Sequence, residues 1–254
     1  MRERALRRWP VVAAAALYTL PLGLLIVRAA ADAWRAPAVW PQALGTRGLE
    51  QVGHPAVRAA IGNSLAVAVV TTAIAVVLGW GAARVLAGTD DARRRLLYVL
   101  IALPLLVPPY AVGLGLGGWF VRWGLIDTHL ALVLAHLVYV LPYVVLLLAA
   151  GFGRHVSALE EAAAVLGASA VTRLRLVTLP AVAPALAVAS LLGFLVSWSQ
   201  YGTSLAVGGG VPMLPLALLP FVGRDLQVAA ALSVLFVLPP LLALAVAARL
   251  GRIR

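Results

Sequence analysis

The chain has 254 residues, of which 63% are hydrophobic and only 11% are charged, and its formal net charge is +11. A water-soluble domain carries roughly a quarter charged residues, so this composition excludes a soluble globular protein and indicates an integral membrane protein. The absence of cysteine excludes disulfides, a thiol nucleophile and a thiolate metal site.

Six apolar segments are long enough to cross a bilayer, because a hydrocarbon core of about 30 Å requires about 20 residues of helix. They lie at roughly 10–31, 59–83, 96–118, 130–152, 180–200 and 228–248. The sequence therefore predicts an all-α membrane protein with six transmembrane helices.

The arginines predict how these helices are oriented. If the N-terminus is cytoplasmic, the segments on the inside hold 14 arginines and the outside loops hold five. Such a bias is typical of cytoplasmic loops. Both termini are therefore predicted to be cytoplasmic, and the basic charge indicates topology and contact with anionic membrane lipid rather than nucleic acid.

The first span has an alternative interpretation as a cleavable signal peptide. An arginine-rich start precedes the apolar run, and small residues at 29–33 follow it. The run of about 20 residues is longer than a usual signal-peptide core, which favours a retained helix. Cleavage would leave the orientation of the later helices unchanged.

The third span contains a GxGxxG pattern and three prolines. The pattern lies in an apolar segment without a βαβ context, so a dinucleotide site is not supported. Gly113 and Gly117 instead predict close packing against another helix. Pro104, Pro108 and Pro109 predict a kink or break, and broken helices in transporters often line cavities.

The segment 153–179 is a polar break between two apolar spans on the predicted cytoplasmic side. Ser157 and Glu160 have the spacing of a capping box, which predicts that a helix begins at Ser157. Ala163 and Gly167 would share one face of that helix with Glu160. Small side chains on this face would allow another surface to approach closely.

Gly167 predicts a sharp turn after this helix, because glycine adopts positive φ at little cost. Ser169 can cap a second short helix that carries Arg173 and Arg175. Pro180 suits the first turn of the next membrane helix, where its missing N–H is not needed. We therefore predict two short helices joined at Gly167, with a solvated amphipathic loop as the simpler alternative.

The same segment closely resembles the "EAA loop" of ABC importer permeases. The pattern begins with Glu161-Ala162-Ala163 and has Gly167 after three further residues. After nine further residues comes Val177, and after one more residue the pattern ends in Leu179-Pro180. Val177 departs from the commoner isoleucine but keeps an aliphatic side chain.

This resemblance covers roughly residues 58–249 and implies a permease subunit of the type I ABC importer fold. It implies an N-terminal helix and first periplasmic loop at 1–57, a conserved transmembrane domain at 58–249 and a cytoplasmic tail at 250–254. The residues that it implies for coupling to the ATPase are Glu160, Glu161, Ala162, Ala163, Gly167, Leu179 and Pro180.

The resemblance also implies partners and a location. It implies ABC ATPase subunits on the cytoplasmic side, a second permease and a solute-binding protein outside, all at the bacterial inner membrane. The second permease is either a copy of this chain or a homologue, and the family group favours a homologue. Within this family, the segment 197–204, with the downstream Gly208-Gly209-Gly210 and Leu214-Pro215-Leu216, resembles the permeases for iron(III), thiamine, polyamines and sulfate. The chain has no Walker A sequence and is not expected to hydrolyse ATP or to bind a cofactor.

The densest uncharged polar cluster lies at 197–204, where the fifth span ends. Polar groups at membrane depth either face a cavity or bond to a neighbouring helix. Both interpretations stay open here. If the cluster lines the translocation path, the candidate residues are Ser197, Ser199, Gln200 and Thr203. Asn63, at the start of the second span, is a further candidate for the path.

Acidic residues are absent from all six spans, which bears on the kind of transport. A carrier driven by protons or sodium usually needs a buried ionisable residue, so ATP-driven import is favoured over a secondary carrier or channel. The four histidines have no metal-ligand spacing, and no set of nucleophiles indicates a membrane enzyme. The sequence does not identify the solute.

Overall fold

The computed structural model describes residues 2–89 and 91–252, and these are almost entirely helical. The elements in chain order are α1 (Arg2–Ala29), β1 (Ala31–Ala33), β2 (Ala43–Leu44), α2 (Arg47–Val52), α3 (Pro55–Gly88), α4 (Asp91–Ala102), a 3₁₀ turn (Leu103–Leu106), α5 (Pro109–Arg122), α6 (His129–Gly151), α7 (Arg154–Val165), α8 (Ala170–Arg173), a π-helical turn (Leu174–Thr178), α9 (Leu179–Trp198), α10 (Gly202–Val207), α11 (Leu214–Ala217), α12 (Leu219–Val222) and α13 (Leu226–Arg252). The two strands form a short antiparallel hairpin. The prediction of an all-α fold is confirmed.

Within residues 2–89 and 91–252, five stretches of helix are long and apolar enough to cross a membrane. They are Val12–Ala29, Pro55–Gly88, His129–Gly151, Ala170–Trp198 and Leu226–Val246. Each overlaps a predicted span. They leave one of the six predicted spans, 96–118, to be accounted for.

The third predicted span is a broken helix. Its two pieces, Ala92–Leu106 and Pro109–Arg122, meet at an angle of 90°. Val107 between them is extended, with φ −94° and ψ 131°. A residue before proline is disfavoured in the helical region, and Pro108 and Pro109 follow directly. The break predicted from the prolines is confirmed.

The chain divides into two compact units, of which the first comprises 1–60 and 217–241. Within it, Arg47 at the start of α2 pairs with Asp225 and lies 2.9 Å from the amide oxygen of Gln227. The amide nitrogen of Gln227 donates to the carbonyl of Gly45 at 3.3 Å. These polar contacts attach the segment after the hairpin to the start of α13.

The second unit comprises 61–216 and 242–254, and its core lies where α6 packs on α9. Val144 and Val182 are fully buried in this core. A Cβ at Gly151 would lie 2.4 Å from the Cβ of Ala185, so the two helices approach too closely there for any larger residue. Tight interlocking of this kind holds α9 in a fixed register against α6.

A second close contact joins α5 to α10 in the same unit. A Cβ at Gly113 would lie 2.6 Å from the Cβ of Ala206 and 3.3 Å from the Cα of Thr203. At Gly117 the nearest atom would be the Ala206 carbonyl oxygen, at 3.8 Å, an ordinary contact distance. The predicted close packing is confirmed at Gly113.

Replacing Gly113 with alanine is therefore expected to lower the free energy of unfolding by about 1–3 kcal/mol, because the backbone of α10 must move to admit the methyl group. Gly115 on the same helix is the matched control, since a Cβ there would meet nothing within 4 Å. Thermal unfolding in detergent should show a lower midpoint for G113A only. Equal midpoints for G113A and G115A would contradict the close contact.

Candidate functional site

The loop 153–179 folds as α7, a tight turn, α8 and the π-helical turn that leads into α9. The helix α7 begins at Arg154, three residues before the predicted start at Ser157. Gly153 is its N-cap in extended conformation, and the Val156 amide bonds to the Gly153 carbonyl at 2.9 Å. The prediction of a capping box was therefore wrong, because the helix begins directly after Gly153 and Ser157 already lies inside it.

The turn after α7 is a Schellman motif at Gly167. Its φ is +82°, in the left-handed region that favours glycine. The Gly167 amide donates to the carbonyl of Ala164 at 2.9 Å, and the Ala168 amide donates to that of Ala163 at 3.0 Å. The predicted sharp turn is confirmed, and the predicted cap at Ser169 is confirmed by its bond from the Thr172 amide at 3.2 Å.

The turn presents two adjacent apolar side chains to solvent. Val165 is 88% exposed and Leu166 is 87% exposed, and they lie at the end of α7 directly before Gly167. Glu161 and Ala162 are also exposed, whereas Ala163 is half-buried. The structure therefore places most of the Glu-Ala-Ala residues and the apolar pair in the second half of α7 and the turn that follows it.

The remaining predicted coupling residues lie elsewhere in the segment. Leu179 and Pro180 are the first residues of α9, which continues directly from the π-helical turn, and Leu179 is 42% exposed. The Glu160 side chain is only 18% exposed. Its carboxylate accepts from Arg84 of α3 at 2.5 Å and from the hydroxyl of Thr178. Glu160 is thus directed toward other helices of this chain.

The polar cluster at the end of α9 divides into two groups of side chains. Ser197 is buried and lies 2.9 Å from Nδ1 of His136. Thr203 is fully buried and donates to the amide oxygen of Gln200 at 3.3 Å. Ser199 is exposed. For Ser197 the structure favours the interpretation that polar groups join helices, whereas the bond of the buried Thr203 is local.

His136 joins two serine hydroxyls in this region, and the sequence did not single it out. Its ring is fully buried, with Nε2 at 3.0 Å from the Ser204 hydroxyl. That hydroxyl donates to the carbonyl of Gln200 at 2.7 Å, which leaves its lone pair to accept from Nε2–H of His136. This network fixes the chain where α9 ends and α10 begins.

Two adjoining cavities lie where the broken third span meets the end of α9. Their volumes are about 460 Å³ and about 420 Å³, and both are lined by Pro108, Pro109, Ser199 and Gln200. The larger is also lined by Tyr139, whose hydroxyl donates to the Val107 carbonyl at 2.6 Å. The polar lining consists of neutral hydroxyl and amide groups.

Asn63, the fifth candidate for the path, lies in a different polar cluster. Its amide donates to the Pro212 carbonyl at 3.0 Å, and its oxygen lies 3.0 Å from Nε2 of His129. It lines neither cavity. Of the five candidates, Ser199 and Gln200 line these two cavities, and Asn63, Ser197 and Thr203 do not.

Known proteins resemble this chain over most of its length. The family model described as "Binding-protein-dependent transport system inner membrane component" matches residues 75–253. A putative ABC transporter permease protein, ORF1 of Streptomyces antibioticus, is 36% identical over 68% of this chain and 76% of its own length. The molybdenum transport system permease protein ModB of Mycobacterium tuberculosis is 32% identical over 91% of this chain and 90% of its own length.

Solved structures contain the same fold. A bacterial ABC transporter involved in the import of the acidic polysaccharide alginate matches with a TM-score of 0.68 over 97% of both chains. The identity is 18%, so this likeness concerns the fold alone.

Proposed function

Because the chain belongs to the family of binding-protein-dependent transport system inner membrane components, the permease subunits of ABC importers, we propose roles for its loop and its cavities. The loop 153–179 receives ABC ATPase subunits on the cytoplasmic side. The cavities lined by Ser199 and Gln200 are part of the solute path. Both termini lie in the cytoplasm, at the inner membrane of a bacterium.

One observation carries the docking proposal: the pair Val165 and Leu166 is almost fully exposed at the end of α7. Adjacent apolar side chains held outward by a fixed turn favour a surface that a partner covers. Glu161 lies beside them and offers a charge to the same partner. The Schellman turn at Gly167 holds this surface in one conformation, which lowers the entropy lost on docking.

Transport follows from docking if the two states of the complex hold the loop differently. Closure of the ATPase subunits on ATP displaces α7, and the membrane helices then alternate between outward-open and inward-open arrangements around the cavities. A loop bound equally well in both states would shift no equilibrium, so the docked contacts must differ between them. ATP hydrolysis takes place in the partner, not in this chain.

The partners beyond the ATPase are proposed from the family. A second permease, homologous to this chain, completes the path, and a solute-binding protein delivers the solute from outside. The related proteins named above serve molybdenum and alginate, two solutes of very different size. The cavity lining adds no charged side chain. We therefore place solute selectivity mainly with the binding protein.

Replacing both Val165 and Leu166 with aspartate tests the docking surface. Burial of each apolar side chain stabilises a complex by about 1.5–3 kcal/mol, so losing both should weaken ATPase binding on the order of 100-fold or more. The measurement is co-purification of the ATPase with the tagged permease from detergent.

The matched control for the docking test is Ser157→Asp, which adds one charge at an exposed position near the start of the same helix. A carboxylate in the first turn of a helix is tolerated or stabilising. The ATPase should therefore still co-purify with S157D. Full recruitment by the double aspartate variant would show that the ATPase docks elsewhere.

A further inference from the structure

Glu160 differs structurally from Glu161, although the two are adjacent in sequence. Glu161 is exposed, whereas both carboxylate oxygens of Glu160 are occupied by groups of this chain. One oxygen accepts from Arg84 of α3 at 2.5 Å, and the other accepts from the hydroxyl of Thr178. Hydrogen bonds to an ionised acceptor are about twice as strong as neutral ones.

The two donors belong to different parts of the second unit. Thr178 is 1% exposed and ends the π-helical turn directly before α9. Such turns are widened by i→i+5 bonding and are frequent at functional sites. Glu160 therefore attaches α7 to the first residues of α9.

Arg84 lies near the end of α3 and is itself held in place. Its guanidinium lies 6.0 Å from the ring centre of Phe152, which packs edge-to-face on Trp80 with ring centres 4.8 Å apart. The carboxylate oxygen of Glu160 that accepts from Arg84 is thereby attached to a packed part of α3. One carboxylate thus joins α7 to two membrane helices.

We propose that Glu160 is a positioning residue that transmits the displacement of α7 to α3 and α9, and that it makes no contact with the ATPase. The inference depends on the proposed docking of the ATPase at Val165 and Leu166, at the end of α7. If the attachment is lost, α7 can follow the ATPase while α3 and α9 stay behind. Coupling between distant sites can be carried by such hydrogen bonds and packed side chains when both sites bias an element that has two discrete arrangements.

The absence of cysteine from the chain permits a test that requires no solute. Ser199→Cys places a single thiol in the cavity lining, and a membrane-impermeant maleimide reports its accessibility. The labelling rate is compared in the assembled complex in nanodiscs, without nucleotide and after trapping with ATP and vanadate. In the chain that carries only Ser199→Cys, here called the reporter chain, the labelling rate must change between the two states. An unchanged labelling rate would overturn both the cavity assignment and the inference.

Glu160→Gln, added to the reporter chain, is expected to reduce this change at least about fivefold, the lower end of typical coupling between sites. Thr178→Val should reduce it in the same direction, because it removes the other bond to the carboxylate. The double variant Arg84→Glu with Glu160→Arg exchanges the two charges and should recover part of the change in labelling rate. Glu50→Gln makes the same chemical change on an exposed residue of α2 and should leave the response intact.

Co-purification of the ATPase separates this inference from the proposed docking. Glu160→Gln should retain the ATPase while losing the nucleotide response. Loss of the ATPase from this variant would make Glu160 a docking residue and overturn the inference, while the docking proposal would stand. A full nucleotide response in Glu160→Gln would overturn the inference as well. Failure of the unaltered chain to bind an ATPase would instead refute the proposed function.

Discussion

Replacing Gly167 with valine is expected to abolish solute uptake while leaving the protein inserted and folded. The φ of +82° is costly for any side chain, and most of all for a β-branched one. A Cβ there would meet nothing within 4 Å, so the cost is backbone strain of about 1–3 kcal/mol rather than a clash. Relief of that strain would open the Schellman turn and redirect Leu166.

The effect should be confined to docking, because the membrane helices satisfy their own backbone hydrogen bonds. Uptake of the ligand of the cognate binding protein and co-purification of the ATPase are measured in the same preparations. Gly81→Val is the matched control, since Gly81 lies within α3 and a Cβ there would also meet open space. Wild-type uptake by G167V would refute the role of the turn, and equal loss in G81V would indicate a general effect of valine.

Replacing Ser199 with tryptophan is expected to block uptake without loss of assembly. Ser199 is exposed and lines both cavities, so an indole at this position fills part of the space at the broken third span. Its hydroxyl bonds only locally, to the Val196 carbonyl at 3.2 Å, and little packing depends on it. The expected result is at least tenfold slower uptake by a complex that still retains its ATPase.

The control for this substitution is Val69→Trp on α3, where the side chain is 52% exposed on an apolar helix. It adds the same bulk outside the cavities and should leave uptake unchanged. Thr203→Trp should behave differently from both, because Thr203 is fully buried beside Gly113 and the complex should fail to assemble. Normal uptake by S199W would remove these cavities from the solute path.

The sequence predicted those features that arise from local chemistry or from the bilayer. The spans follow from hydrophobic length, and the broken third span follows from Pro108 and Pro109, which disfavour helix at the preceding residues. The turn at Gly167 and the cap at Ser169 follow from residues whose own backbone or side chain makes the structure. These predictions required no knowledge of what packs against what.

Features that depend on tertiary contacts could not be predicted in the same way. Ser157 has the spacing of a cap, but Gly153 is the N-cap and the helix has already begun before Ser157. Glu160 and Glu161 look equivalent in sequence, and only the position of Arg84 on a distant helix separates them. His136 lies in an apolar span without any motif, and its two serine partners are 61 and 68 residues away.

The same limit applies to the solute path. The polar cluster at 197–204 gave two interpretations, and its residues differ in their surroundings. Ser199 and Gln200 line the cavities, whereas Ser197 bonds to His136 of α6 and Thr203 is fully buried. Which side of a helix faces a cavity depends on how its neighbours pack, and the local sequence does not contain that information.

A photo-crosslinker at Leu166 tests most directly whether an ATPase subunit covers the apolar pair at the end of α7. Benzoylphenylalanine replaces Leu166 in the full complex, and Val77, which is 74% exposed on α3, carries the same group as a control. We expect illumination to join the chain to the ATPase from position 166 and not from position 77. An intact complex in which position 166 forms no product with the ATPase would contradict docking at this pair.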